Sequence, residues 1–342
     1  MFMLTGDMAA NSLYFSFDKK MVAVDSPSLN STILSNSALQ GLRALQLTDL
    51  QRYKSELNSG DHKAWCYYFP FMYYFSMSSK RQLLIDEDEG SLCIYFLRLD
   101  KEEPLLNLYF PPLPMNRRVL YRCFQRIHEF QRNKSASVIW VDEHDAAQLT
   151  GLPSLRVLPR EKEYLYASEI YKDISGRRFR KLRQNLRKVN ALDNVEVRPY
   201  RRSDADICIA LMEEWRTKQG EKFEGRADRA YSRYCLRNFD IFQERDLFGR
   251  VFLLDGEIQS FGFCGETHET MGNLFIGKSN HQIQGLNYFM QYHLILAMEN
   301  YPFINNASDM GLPGLKFAKE HLRPVAMHQT FKVRQRGAIS FD

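Results

Sequence analysis

Asp309 stands in the stretch "NNASDMGLPGLKFAKEHLRP", ahead of Gly311, Pro313 and Gly314. A short carboxylate before a glycine turn has two uses. It can accept backbone N–H bonds and brace the turn. It can also hold an amine and take up a proton during attack on an activated carbonyl. The segment after it reads as a helix over about 312–322, with Leu315, Ala318 and Leu322 on one face and Pro324 as its stop. Lys316, Lys319 and Arg323 lie beside or opposite that face, so a cation is within reach of the acid. Glu214, in "MEEWR", is the second candidate proton acceptor.

A second constellation is entirely basic. Arg177, Arg178, Arg180, Lys181, Arg183, Arg187 and Lys188 crowd one stretch with no acid among them. Phe179, Leu182, Leu186 and Val189 recur at helical spacing, and Arg180, Arg183 and Arg187 make a stripe beside that seam. A solvated helix usually mixes signs, because acid–base pairs one turn apart stabilise it. A bound polyanion would offset the repulsion left here. The bland alternative is neutralisation from elsewhere, for instance by the acids of "DEDEG" at 86–90.

A third candidate is "GKSNHQIQGLNYFMQ" at 277–291, where a strand delivers a polar loop and a helix begins near Gln284 and Gly285. Free N–H groups at such a start suit phosphate. Lys278, Gln284, Gly285 and Asn287, with Arg180, Arg187 and Lys319, form the expected donor-binding set. Arg183, Lys278 or Lys319 could face a developing oxyanion. No Ser–His–acid or Cys–His arrangement stands out, which favours direct transfer over a covalent intermediate. Cys264, Glu266 and His268 alternate along one strand but lack the full spacing of a metal site, so no metal is expected.

The positioning elements follow from periodicity. Helices are expected at 47–57, 115–132, 204–217, 228–240 and 284–299, and strands at 82–85, 91–98, 105–110, 136–141, 163–167, 194–200, 249–254, 257–264, 270–277, 302–305 and 326–333. "DEDEG" and Asp255–Gly256 read as hairpin turns. The aromatic run "WCYYFPFMYYF" reads as a helix-to-strand approach packed in the core. The first 35 residues are Ser- and Asn-rich without a period. The 342 residues are 44% hydrophobic, ample for two domains, with a modest net charge of +5. No apolar run reaches spanning length and no leader pattern opens the chain, so a cytoplasmic protein is expected.

The order of the second half, β-α-α-β-β-β-α-β-α-β, resembles the acetyltransferase-like fold called GNAT. "EYLYASEIYKDISGRRFRKLRQNLRKV" and "NNASDMGLPGLKFAKEHLRPV" are similar to the two signature stretches of the phosphatidylglycerol lysyltransferase C-terminal family (DUF2156). Gly176, Phe179 and Arg183 match the first pattern, while Leu182, Gln184 and Arg187 depart from it. Asp309, Gly311, Gly314, Leu315, Lys319 and Pro324 match the second. The resemblance implies an α/β fold of two tandem GNAT-like domains, here divided as 1–158 and 159–342, with the site in the second. It implies an aminoacyltransferase that takes its group from charged tRNA, without a tightly bound cofactor. The acceptor would carry an amine or hydroxyl on a small molecule, peptide or lipid headgroup. Acyl-CoA is the alternative donor, and a non-catalytic RNA-binding or regulatory module is the alternative class.

Overall fold

The computed structural model describes residues 36–132, 136–219 and 228–336; the irregular stretch expected at 1–35 lies outside them. The described strands form one mixed sheet. They are β1 (Arg43–Ala44), β2 (Arg81–Asp88), β3 (Ser91–Arg98), β4 (Leu105–Leu108), β5 (Ser137–Val141), β6 (Leu155–Ala167), β7 (Val195–Pro199), β8 (Phe248–Leu254), β9 (Glu257–His268), β10 (Met271–Ser279), β11 (Phe303–Ser308) and β12 (Ala326–Gln335). Their order is β1-β2-β3-β4-β5-β12-β6-β11-β10-β9-β8-β7. The helices are α1 (Leu50–Asn58), α2 (Phe69–Ser76), α3 (Arg117–Gln131), α4 (Glu143–Leu149), α5 (Arg180–Asn190), α6 (Ala205–Gln219), α7 (Asp228–Asn238), α8 (Leu286–Ala297) and α9 (Pro313–His321).

The element order is the same in the two halves. β1-α1-α2-β2-β3-β4-α3-β5-α4-β6 repeats as β7-α6-α7-β8-β9-β10-α8-β11-α9-β12, with α5 between. Each half has one parallel pair, β4 with β5 and β10 with β11, joined by a crossover helix. The last strands are exchanged. β6 pairs with β11 of the second half, β12 pairs with β5 of the first, and β6 and β12 pair with each other. This is a tandem GNAT-like α/β fold. The boundary expected at 158/159 falls inside β6, which runs unbroken across it. Pro159 cannot donate to a ladder, and it sits where the β6–β12 register shifts.

The turns follow local chemistry. Glu89 (φ 45°) and Gly90 (φ 77°) close β2 onto β3, and Asp255 (φ 52°) and Gly256 (φ 81°) close β8 onto β9. Paired positive φ values match strand twist in a two-residue hairpin. The aromatic run corrects its expectation. Residues 65–67 make a 3-10 turn and 69–76 a helix, with no strand, because Pro70 opens α2 at its first turn. Tyr67, Tyr68, Phe69, Met72 and Tyr74 are buried in a core that also takes Tyr200, Phe261, Phe263 and Phe275 from the second half. Two further cores lie between α3 and the first half's strands and beneath α5 and α8. α4 is an additional helix, capped by Asp142.

Candidate active site

α5 is amphipathic as its spacing predicts. Phe179, Leu182, Leu186 and Val189 are buried, and the basic side faces out. The acids of "DEDEG" do not neutralise it. Asp86, Asp88 and Glu89 pair instead with Arg126 and Arg122 of α3. α5 packs on the start of α8 at Gly285, whose φ is +92°. A Cβ there would approach the Asn185 carbonyl oxygen to 2.6 Å, so the contact requires glycine twice over. Beside it opens a cleft of about 650 Å³. Lys181, Arg187 and Lys188 supply its cations, Gln284 and Gly285 its floor, and Phe317 of α9 part of its far wall.

The stripe Arg180, Arg183 and Arg187 is divided by the fold. Arg187 enters the cleft, whereas Arg180 is exposed and outside its lining. Arg183 folds back to donate to the Ile174 and Gly176 carbonyls, the latter at 2.6 Å, and braces the loop before α5. Asn287 is exposed on the first turn of α8 and outside the lining. Lys278 lies over the Trp215 ring, 4.3 Å from its centroid. Glu214 is exposed and pairs with Lys218 one turn on. Glu266 is taken up by Lys54, Arg245 and Tyr301, and His268 by the His62 carbonyl.

Tyr164 links Asp309 and Lys319: its hydroxyl donates to Asp309, and its ring centroid lies 5.7 Å from Lys319 Nζ. β11 ends in a bulge against β6, with Ala307 at φ 53°. That bulge turns three successive carbonyls toward Lys319, whose Nζ donates to Asn306, to Ala307 at 3.2 Å and to Ser308 at 2.8 Å. Burial pushes the Lys319 amine down to about 7, against the pull of Glu163, Asp309 and Glu161. Asp309 accepts the Tyr164 hydroxyl at 2.6 Å on one oxygen and the Gly311 amide at 2.8 Å on the other. Burial, then Asp309, hold the Tyr164 proton well above the usual phenol range. Asp309 thus braces its turn and orients a phenol, and it keeps unused lone pairs and partial exposure.

Two members of this group, Glu163 and Tyr164, were not singled out from sequence. They are adjacent on β6 and point to opposite faces. Glu163 is buried; burial raises it to about 7 despite bonds from the Trp65 amide at 2.8 Å and Asn305 at 2.7 Å. The signal was a carboxylate sharing strand parity with Leu165 in "EYLYA". Next to it β10 and β11 part. Their parallel register runs only from Met271 opposite Phe303 to Asn273 opposite Asn305. The Leu274 carbonyl beyond is bonded by the Trp65 indole at 2.8 Å. Such strand ends are where open α/β sheets bind ligands.

The repeat offers an internal comparison. The acid after β5 is Asp142, the counterpart of Asp309 after β11. It is fully buried, and it accepts from the Lys63, Ala64 and His144 amides and from His328. The segment around Lys63 therefore closes that position in the first half. The acid position in the second half stays partly open.

The fold and this strand opening define an acyltransferase-like chain of the tandem GNAT class. The chain belongs to the family described as phosphatidylglycerol lysyltransferase, C-terminal, which it matches over residues 51–334. No curated protein matches it by sequence. A conserved protein of unknown function from Bacteroides thetaiotaomicron VPI-5482 superposes with a TM-score of 0.75 at 19% identity, covering 86% of this chain and 99% of that one. L-PGS from Bacillus licheniformis gives 0.58 at 13% identity, covering 85% and 92%. FemX gives 0.57 at 10% identity, covering 84% and 96%.

Proposed function

We propose that this chain is an aminoacyltransferase that moves an aminoacyl group from charged tRNA to an amine or hydroxyl acceptor by direct attack. The observation that carries the reading is the placement of α9. A cation-lined cleft opens on one side of this helix, and Asp309, Tyr164 and Lys319 gather on the other. Family membership supports aminoacyl transfer as the reaction class.

In this reading the donor's phosphates lie along Lys181, Arg187 and Lys188, and its ester reaches Asp309 at the end of β11. The acceptor's nitrogen or oxygen bonds to the ester carbonyl, and the carbon–oxygen bond to the ribose breaks. Asp309 takes the nucleophile's proton and returns it to the departing ribose oxygen, with Tyr164 fixing the carboxylate's orientation. Lys319 is a positioning residue, since its N–H groups are committed to the bulge carbonyls. Placing two reactants in this geometry supplies much of the acceleration for an ester that is already activated. The cytoplasmic setting expected from the sequence belongs to this proposal. No helix among the described residues is long and apolar enough to cross a membrane.

A transfer screen tests the reading. The labelled aminoacyl group of a charged tRNA pool should leave the tRNA in the presence of candidate acceptors and wild-type protein, and remain with the D309N variant. Transfer from acyl-CoA in place of charged tRNA overturns the choice of donor. Gly285, the one glycine of the loop, is already used for helix contact, which disfavours a coenzyme A pyrophosphate there.

A further inference from the structure

The cleft carries a feature that phosphate binding does not use. Phe317 is 57% exposed, the most exposed of the large apolar side chains among the described residues. Its ring lies 3.9 Å from that of His321, centroid to centroid, and Tyr288 stands 6.1 Å from His321 on the opposing helix. All three line the cleft. His321 Nδ1 donates to the Phe317 carbonyl at 2.7 Å, since a carbonyl only accepts; this fixes the imidazole against the phenyl ring and, among the described residues, leaves Nε2 unengaged.

We infer that this aromatic wall is a stacking site for unpaired bases at the 3′ end of an RNA. The inference rests on the proposed use of charged tRNA and deepens it. An exposed phenyl ring gains most from covering by a flat, weakly hydrated partner, and every nucleobase has such a face. The opposite wall carries Lys181, Arg187 and Lys188, and among the described residues no acid lines the cleft. These cations span about 10 Å of helix, enough for more than one phosphate. Among the described residues none of the three makes an ion pair. Arg177 and Arg180, exposed just before and at the start of α5, carry the same sign. Aromatic platform and basic track together are the means by which single strands are held. A concave site of about 650 Å³ has room for one or two splayed bases.

The test compares two uncharged RNA hairpins, one blunt and one with a four-nucleotide unpaired 3′ tail, by fluorescence anisotropy. The tailed hairpin should bind more tightly. Phe317→Ala should weaken it roughly ten- to hundred-fold and leave the blunt hairpin unchanged. Phe317→Trp should restore the preference. The salt dependence of F317A should match wild type, because no phosphate contact is lost. Equal binding of both hairpins, or a tail preference indifferent to F317A, overturns the inference. So does coenzyme A displacing the tail with the same dependence on Phe317, since the wall would then serve that nucleotide. Tail stacking in a protein inactive toward charged tRNA would leave the inference standing and the reaction wrong. Transfer from charged tRNA by a protein without tail preference would do the reverse.

Discussion

The Tyr164 hydroxyl, from β6, donates to Asp309, at the end of β11, over 2.6 Å. The bond ties the last strand of the first repeat to the acid of the second. Asp309 therefore has a structural task and, in the proposed function, a chemical one. The two separate in experiment.

Replacing Asp309 with asparagine keeps one acceptor oxygen and loses the charge. One of its two hydrogen bonds is sacrificed, which costs about 1 kcal/mol and a few degrees in Tm. Single-turnover transfer should fall roughly 10²- to 10⁴-fold. Calorimetry and rate measured together decide it. Normal transfer by folded D309N would reduce Asp309 to a brace.

Glu163 and Lys319 should give stability opposite slopes in pH. Glu163 is raised from 4.5 to about 7, so between those values the unfolded chain has lost a proton that the native state keeps, and stability falls as pH rises. Lys319 is lowered from 10.5 to about 7, so above 7 the native state has lost a proton that the unfolded chain keeps, and stability rises with pH. Urea melts across this range should show the acid limb flattened in E163Q and the alkaline limb flattened in K319M. An unchanged alkaline limb in K319M would show that the amine does not titrate there.

Cleft and loop arginines should part company. Replacing Lys181, Arg187 and Lys188 with glutamine should lower the log–log salt slope of RNA binding by roughly two to three. R183Q should instead lower stability by about 1–3 kcal/mol, because the Ile174 and Gly176 carbonyls lose their donor. Anisotropy titrations and denaturant melts on the same proteins separate the two effects.

Gly285→Ala places a methyl group against Asn185 at a positive φ. A loss of roughly 1–3 kcal/mol is expected in chemical denaturation. A silent substitution would mean that α5 and α8 shift apart freely.

Much of this architecture is written locally. The buried seam of α5 and the Asp255–Gly256 turn were legible because periodicity and positive φ are properties of neighbouring residues. β6 was read only from Glu163 onward. Its first half carries Pro159 followed by the unbroken charged run Arg160, Glu161 and Lys162, which hides the strand period, and the register shift opposite accommodates the proline. Residues 69–76 gave no clear period because α2 is covered on several sides by a core shared between the halves. The Lys319 bulge was illegible for a different reason. Its ligands are main-chain carbonyls, which have no letter in a sequence. Asp309 was singled out from its turn, and its partner Tyr164 only from the fold.

The exchange of β6 and β12 has a consequence for synthesis. β12 is the last described strand to leave the ribosome, yet its place is in the middle of the sheet, between β5 and β6. Until it arrives, the flanks of β5 and β6 that it will cover present unpaired backbone, the kind of edge that recruits strands from other chains. A nascent chain stalled before residue 326 would hold all nine described helices and still be two open sheets. Completion of this sheet is thus timed by β12, and until then its open edges are of the kind that invite misassembly.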